Sequence, residues 1–253
     1  MHYIGIDIGS TAAKVTVFGN GKIVDNFTLP TGWSSVETSR IIKNRLEDDG
    51  IEVEKSKVVA TGYGRISVPY AEKTITEISC HGEGVKYLLG EDVTIVDIGG
   101  QDTKIITLEN GRVTDFIMND KCAAGTGKFL ELMANTLGVD IRELTDMALQ
   151  GEDISITSMC TVFAESEVIS LIGSGTDRSS ISRGIINSIT GRVNSLLHKQ
   201  VRKDKVFLTG GLCEMESFIY LLSQKVGVKV ETHKLARYAG SIGAAIVAGN
   251  LDK

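Results

Sequence analysis

Residues 4–14 of this chain read I-G-I-D-I-G-S-T-A-A-K, and residues 94–104 read T-I-V-D-I-G-G-Q-D-T-K. Aligned at an offset of 90 residues, which places Asp7 on Asp97, both stretches read as an apolar strand, Asp-Ile-Gly, a tight turn and a lysine. Self-similarity of this kind indicates an internal repeat. Each copy is predicted to open with a buried strand that ends in an aspartate and a glycine.

The repeat continues through the two strands that follow. Asn20-Gly21 in the first copy aligns with Asn110-Gly111 in the second, each between apolar runs. Asn-Gly is favoured in two-residue hairpin turns because both central residues must adopt positive φ. Each copy is therefore predicted to be a three-stranded meander whose first turn carries the acid and the glycine.

The remaining sequence is largely helical in pattern, which predicts an α/β fold. Helices are expected at 38–48, 82–89, 128–137, 161–172, 183–199 and 240–248, and further strands at 57–61 and 206–209. Gly138 and Gly173 are expected to end two of the helices, as glycine often does. The expected division is a first lobe at 1–90, a second lobe at 91–237, and a segment at 238–253 whose helix packs back on the first lobe.

The composition is that of a soluble protein with two lobes of ordinary domain size. The chain has 253 residues and a formal net charge of −5, which gives no reason to expect nucleic acid or an anionic membrane as a partner. No apolar run approaches the ~20 residues that a membrane span requires. Residues 1–6 enter a strand at once and leave no room for a signal peptide, so the cytoplasm is the expected location.

The repeated turns have the composition of a phosphate site. Backbone N–H groups bind phosphate where side chains do not obstruct them, as at residues 9–11 and 99–101. Asp7 and Asp97 offer the oxygen ligands that Mg²⁺ prefers, and Gln101 or Glu77 could orient the attacking water. The expected nucleotide-binding residues are Gly9, Ser10, Thr11, Lys14, Gly99, Gly100, Gly125, Thr126, Gly127, Gly210 and Gly211.

Asp-x-Gly is also a common turn at the end of a strand, and one copy alone would carry little weight. Two copies in register, with a third glycine pair at 210–211, favour phosphate binding. Residues 4–14 and 95–104 resemble the two phosphate motifs of the superfamily of sugar kinases, heat-shock chaperones and actin, and 207–211 resemble its adenosine motif. The resemblance implies a two-lobed, actin-like ATPase (ribonuclease H-like) fold with Mg-ATP in a cleft between the lobes. It places Glu77 before a connecting helix, where that superfamily often has a catalytic carboxylate.

Two cysteines stand close to predicted helix starts. Cys122 lies in N-D-K-C-A-A-G-T-G-K-F-L-E at 119–131, and Cys160 lies in S-M-C-T-V-F-A-E-S-E at 158–167. A helix start offers free N–H groups and partial positive charge, which favour a thiolate ligand. Spacing alone favours small buried residues, because no C-x-x-C motif is present. Cys80 and Cys213 are interpreted as packing residues.

The segments around both cysteines, with T-E-I-S-C-H at 76–81 and V-D-I-G-G-Q-D-T-K at 96–104, resemble activator (reductase) components of 2-hydroxyacyl-CoA dehydratases. These belong to the BadF/BadG/BcrA/BcrD-type ATPases, which include subunits of benzoyl-CoA reductases. The resemblance implies an oxygen-sensitive homodimer that shares one 4Fe–4S cluster, ligated by Cys122 and Cys160 of each subunit. Four thiolates from two chains satisfy such a cluster, and a two-fold axis supplies them.

The same resemblance implies ATP-dependent electron transfer. Ferredoxin or flavodoxin would supply the electron, ATP would be hydrolysed to ADP, and a partner iron–sulfur dehydratase or reductase would accept the electron. Two other functions fit the fold: a small-molecule kinase for a sugar or acyl substrate, and a redox sensor that uses ATP only as a ligand. A cluster would disfavour the kinase, and ATP hydrolysis would disfavour the sensor.

Overall fold

The computed structural model describes residues 1–157, 160–200 and 204–251. Ser158 and Met159 of the Cys160 motif, and the last two residues of the expected C-terminal segment, lie outside the described residues. The strands are β1 (His2–Ile8), β2 (Ala12–Gly19), β3 (Lys22–Pro30), β4 (Lys57–Thr61), β5 (Lys73–Thr74), β6 (Val93–Ile98), β7 (Thr103–Glu109), β8 (Arg112–Asn119), β9 (Val206–Gly210) and β10 (Val230–Glu231). The helices are α1 (Ser35–Asp48), α2 (Glu77–Leu89), α3 (Gly127–Leu137), α4 (Ile141–Met147), α5 (Thr161–Gly173), α6 (Arg178–Leu197), α7 (Glu216–Val226) and α8 (Ala239–Ala248).

The internal repeat is visible in the topology of the two five-stranded sheets. The first sheet has the strand order β3-β2-β1-β4-β5, and the second has the order β10-β9-β6-β7-β8. Read from its other edge, the second order repeats the first with β6 in the place of β1. The predicted pair of three-stranded meanders is confirmed, and two further strands extend each sheet beyond the first strand of its meander.

Both hairpin turns have the backbone conformation that their sequence predicts. Asn20 and Gly21 have φ values of 54° and 77°, and Asn110 and Gly111 have φ values of 51° and 68°. Asparagine tolerates positive φ better than most residues, and glycine adopts it without a steric penalty. The Asn-Gly pairs therefore fix the register of two hairpins.

The chain forms two compact units. Unit 1 comprises Met1–Asp92, Leu108–Thr114 and His233–Lys253, and unit 2 comprises Val93–Thr107 and Asp115–Thr232. Helix α8 thus belongs to unit 1, although the chain reaches it only after all of unit 2. None of the helices in the described ranges combines the length and the apolar character that crossing a bilayer requires.

Side chains alternate across β1, which gives unit 1 two packed faces. Ile4, Ile6 and Ile8 are fully buried in a core that also contains Ile42 and Leu46 of α1. Burial of one such side chain stabilises the fold by roughly 1.5–3 kcal/mol. The side chains between these isoleucines must therefore face the other side of the sheet.

Helix α8 covers that other face at very short range. A Cβ atom on Gly5 would lie only 1.9 Å from the carbonyl oxygen of Ser241, so only glycine fits there. The hydroxyl oxygens of Thr16 and Ser241 lie 2.8 Å apart and tie α8 to β2. Since Asp7 points to the same face as Gly5, the first turn of α8 lies over the aspartate.

A parallel strand runs beside the central strand in each unit. Asp7 of β1 lies opposite Thr61 of β4, and Asp97 of β6 lies opposite Thr209 of β9. The carboxyl ends of parallel strands meet at one edge of a sheet. The expected strands at 57–61 and 206–209 are confirmed, and they bring a second strand end beside each aspartate.

The predicted start of α2 at residue 82 is wrong, since the helix begins at Glu77. Gly82 and Gly84, residues that usually weaken a helix, permit close packing here. A Cβ on Gly82 would lie 2.4 Å from Cγ2 of Val113, and a Cβ on Gly84 would lie 1.9 Å from the carbonyl oxygen of Ala239. Glu77, expected to precede the helix, is its first residue.

Other helix boundaries also differ from the sequence pattern. Gly138 ends α3 with a φ of 66° as expected, but α5 continues through Gly173, and positive φ first occurs at Gly175. Helix α6 begins at Arg178 rather than 183, because the side chain of Asp177 caps it.

Helices α4 and α7 were not predicted. Asp140 immediately precedes α4, and its side chain accepts a hydrogen bond from the backbone N–H of Glu143 at 2.8 Å. This is the arrangement in which an acid caps a helix start. Gly227, with a φ of 77°, ends α7. Both signals are present in the sequence.

We expect Gly5→Ala to destabilise the protein by roughly 1–3 kcal/mol, because the new methyl group forces α8 away from β1. The matched control is Gly191→Ala in α6, where a Cβ would meet only Lys225 Cε at 3.6 Å. Urea unfolding of both variants measures the difference. An unchanged midpoint for Gly5→Ala would contradict the packing described here.

Candidate functional site

A glycine from the neighbouring strand lies directly against each central aspartate. Gly62 and Gly210 have φ values of 85° and 84°. A Cβ on Gly62 would lie 2.4 Å from Oδ1 of Asp7, and a Cβ on Gly210 would lie 3.0 Å from Oδ1 of Asp97. Gly210 was predicted as a site residue and Gly62 was not, although both follow a threonine at the end of a strand.

The two predicted phosphate turns have the same backbone closure. The N–H of Gly9 donates to the carbonyl of Ala12 at 3.1 Å, and the N–H of Gly99 donates to the carbonyl of Asp102 at 2.9 Å. Within these turns Ser10 and Gly100 are half-buried, and Thr11 and Gln101 are exposed. Each turn therefore presents polar groups to solvent immediately beyond a buried carboxylate.

A buried ion network holds the aspartate of unit 2. Lys104 Nζ lies 3.3 Å from Asp97 Oδ2 and 2.6 Å from Asp102 Oδ1. The hydroxyl of Thr209 donates to the other oxygen of Asp97 at 3.0 Å. Two carboxylates share one ammonium here, so this group retains one negative charge. That charge suits a hydrated divalent cation.

The equivalent lysine of unit 1 is held more loosely. Lys14 Nζ lies 3.8 Å from Asp7 Oδ2, and Ala12 stands where the repeat has Asp102. With a single carboxylate nearby and some exposure to solvent, the ammonium of Lys14 is better placed to meet a phosphate than that of Lys104. The duplicated turns therefore differ in charge.

Residues 125–127 pack onto the second phosphate turn. The N–H of Gly127 donates to the carbonyl of Gly99 at 2.8 Å, and the N–H of Lys128 donates to the carbonyl of Gly100 at 2.9 Å. The carbonyl of Gly125 accepts from the hydroxyl of Thr103 at 2.6 Å. Carbonyls of the turn occupy these first N–H groups of α3, so the segment shapes the turn.

The other predicted residues are more dispersed. Thr126 is buried and bonds to the carbonyl of Ala123, whereas Gly211 is exposed just beyond Gly210. Glu77 is half-buried at the start of α2, after Thr76, whose side chain accepts from a backbone N–H of the first turn.

The two candidate cluster ligands are the accessible cysteines. Cys160 is exposed and immediately precedes α5, and Cys122 is partly exposed in the turn before α3. The side chain of Asn119 donates to the Cys122 carbonyl at 2.9 Å. In the part of the chain that the structure describes, no group of three or more His, Cys, Asp or Glu side chains could hold a metal ion.

Cys80 and Cys213 are both buried, as expected for packing residues. Burial raises the pKa of the Cys80 thiol to about 12, against the opposing effect of a hydrogen bond with Thr61. Because the thiolate is the form that reacts and ligates metals, Cys80 is chemically quiet at neutral pH.

The chain is similar to known proteins along nearly its whole length. Residues 4–248 match the BadF/BadG/BcrA/BcrD ATPase family. The (R)-2-hydroxyglutaryl-CoA dehydratase activating ATPase of Acidaminococcus fermentans is 41% identical over 252 residues, which cover 98% of this chain and 97% of the relative.

Two solved structures are similar along nearly their full lengths. Component A of the Acidaminococcus fermentans (R)-2-hydroxyglutaryl-CoA dehydratase matches with a TM-score of 0.93 and 40% identity, covering 100% of both chains. The activator of the 2-hydroxyisocaproyl-CoA dehydratase from Clostridium difficile, with bound ADPNP, matches with a TM-score of 0.92 and 39% identity, covering 99% of this chain and 95% of that one. The expected actin-like ATPase fold is confirmed.

We expect iodoacetamide to label Cys122 and Cys160 rapidly in reduced, cluster-free protein at pH 8. Cys80 should remain unlabelled until the protein is denatured, because the thiol is buried and its raised pKa keeps it protonated at that pH. Mass spectrometry of the tryptic peptides gives each rate. Equal labelling of Cys80 and Cys160 would show that the burial described here is wrong.

Proposed function

Because the chain belongs to the BadF/BadG/BcrA/BcrD ATPase family, we propose that it is an ATPase that activates a 2-hydroxyacyl-CoA dehydratase or a related reductase by electron transfer. One observation carries the proposal. The chain combines two aspartate–glycine turns of the kind that binds phosphate with two accessible cysteines, one immediately before α5 and one in the turn before α3. A nucleotide-binding scaffold alone would need the first feature and not the second.

The nucleotide chemistry follows from the two turns. Asp7 and Asp97 are carboxylates held in fixed positions at strand ends, which is what positioning of a metal–phosphate group requires. Lys14 would meet phosphate oxygens, and the N–H groups of the glycine turns would bind others. Gln101 or Glu77 would orient the attacking water. The ADPNP bound by the Clostridium difficile relative supports ATP or ADP as the ligand.

The residues present fit a magnesium ion. Mg²⁺ keeps several waters and takes one or two protein carboxylates, and the network around Asp97 has the required excess of negative charge. When bound, the ion would screen the phosphate charge during hydrolysis. Asp102 and Lys104 would then hold the Asp97 carboxylate in place.

The residues present also fit an iron–sulfur cluster shared by two chains. Such a cluster takes four thiolates, and one chain offers two cysteines outside its core. Cys160 precedes the first N–H groups of α5, which favour an anionic ligand. When bound, a 4Fe–4S cluster would supply one-electron transfer. Cys122 and Cys160 of each subunit would hold it in an oxygen-sensitive homodimer.

The partners follow from that assignment. Ferredoxin or flavodoxin in the cytoplasm would donate the electron, and an iron–sulfur dehydratase or reductase would accept it. Helices α3 and α5, which follow the cysteines, are joined where the Thr136 hydroxyl donates to Glu165 at 3.4 Å. ATP can favour electron transfer only if it binds two states of the protein with different affinity.

Protein purified without air is expected to be a brown dimer with about four irons and four sulfides per two chains. Cys122→Ser should lose the iron and retain ATP binding. Cys213→Ser is the control, since that thiol is buried away from solvent. Iron and sulfide analysis, mass measurement and calorimetry with ATP test all three proteins.

Several results would contradict the proposal. A colourless monomer would show that two chains do not share a cluster. A full cluster in Cys122→Ser would show that Cys122 is not a ligand. Phosphate transfer from ATP to a sugar or acyl compound would favour the kinase. A cluster without ATP hydrolysis in the presence of a reduced donor would favour the sensor.

A further inference from the structure

The buried His81 lies beside the phosphate site of unit 1. It is only 6% exposed, in the second turn of α2. Its Nδ1 lies 2.9 Å from the backbone carbonyl oxygen of Glu77. A carbonyl can only accept a hydrogen bond, so Nδ1 carries the proton, and in the neutral ring Nε2 is an acceptor.

Gly240 shows how close the histidine and the aspartate are. A Cβ at this position would lie 2.7 Å from Asp7 Oδ2 and 3.0 Å from His81 Cε1. The carboxylate and the edge of the imidazole ring therefore flank the same point in the first turn of α8. Cε1 is bonded to both ring nitrogens. Nδ1 lies within hydrogen-bond distance of the Glu77 carbonyl, so Nε2 is the second nitrogen next to the carbon that approaches Gly240.

The surroundings of Asp7 differ from those of its repeat partner. In unit 2, Thr209 and Lys104 hold the two oxygens of Asp97 at 3.0 and 3.3 Å. In unit 1, Oδ2 of Asp7 has Lys14 at the longer distance of 3.8 Å, with His81 on the side of Gly240.

We propose that His81 is a positioning residue for the nucleotide site: its Nε2 accepts a hydrogen bond from a water held at the Asp7 carboxylate when Mg-nucleotide is bound. The inference rests on the proposed ATPase function and extends it to a residue outside both phosphate turns. The peptide bond of Glu77 sets the ring orientation. The absent Cβ of Gly240 lets the ring edge approach the carboxylate.

Two substitutions separate this role from a purely helical one. His81→Asn places an amide donor where Nδ1 stands and removes Nε2. His81→Gln places a polar atom where Nε2 stands and removes the Nδ1 donor. If Nε2 positions the water, His81→Asn should lose magnesium-dependent nucleotide binding and His81→Gln should retain it. If only the bond to Glu77 matters, the order should be reversed.

The test uses the full-length dimer and calorimetry with ADP, in Mg²⁺ and in EDTA. We expect His81→Asn to bind ADP in EDTA as tightly as the wild type does. The increase in ADP affinity caused by Mg²⁺ should be about ten-fold smaller in this variant, as when outer ligands of metal sites are removed. The kcat for ATP hydrolysis should fall at least about ten-fold in His81→Asn, with KM little changed. His81→Gln should recover most of the magnesium-dependent affinity and most of kcat. Equal losses in both variants, or rescue by Asn instead of Gln, would overturn the proposal.

Nitrogen NMR of histidine-labelled wild-type protein keeps the proposal testable if a variant does not fold. The chain has only 4 histidines, so the His81 signals can be assigned. We expect Nδ1–H in the free protein and a shift of Nε2 on addition of Mg-ADP but not of ADP with EDTA. An unmoved Nε2 in protein that binds Mg-ADP overturns this inference alone. Failure of the wild type to bind Mg-ADP overturns the proposed function with it.

Discussion

The rest of the structure depends on one constraint: near the end of β1 and of β6, a glycine backbone packs directly against the aspartate carboxylate. Asp7 and Asp97 are buried beneath Gly62 and Gly210, and a single methyl group at either glycine would strike a carboxylate oxygen or the adjacent backbone. Fixed carboxylates are useful for phosphoryl transfer because they need no rearrangement as charge develops. Strand order, helix packing and turn closure all serve to hold them there.

Duplication produced two such ends, and substitution made them different. Lys104 is shared by the buried Asp97 and the partly exposed Asp102, whereas Lys14 has one partner at 3.8 Å and Ala12 stands at the position equivalent to Asp102. The group around Asp97 thereby keeps an excess negative charge, whereas the ammonium of Lys14 in the other half can meet phosphate oxygens. Cys122 and Cys160 have no counterpart in the first copy, so the proposed electron-transfer function belongs to one half of the repeat.

Local signals in the sequence predicted much of this fold. The Asn-Gly turns and the repeated Asp-Ile-Gly were sufficient because their geometry depends on adjacent residues. The prediction for α2 missed residues 77–81, although Thr76 caps the helix, and only tertiary packing explains the glycines at 82 and 84. The proximity of His81 to Asp7 could not be predicted, since it depends on a helix more than 150 residues further along the chain.

The most direct measurement is calorimetric binding of Mg-ADPNP to the wild type, to Asp97→Asn and to Asp115→Asn. Asp115 is an exposed aspartate of the same repeat copy, so it controls for loss of one charge. We expect Asp115→Asn to bind like the wild type, and Asp97→Asn to lose at least about ten-fold in affinity and most of its dependence on Mg²⁺. Wild-type affinity and magnesium dependence in Asp97→Asn would contradict it.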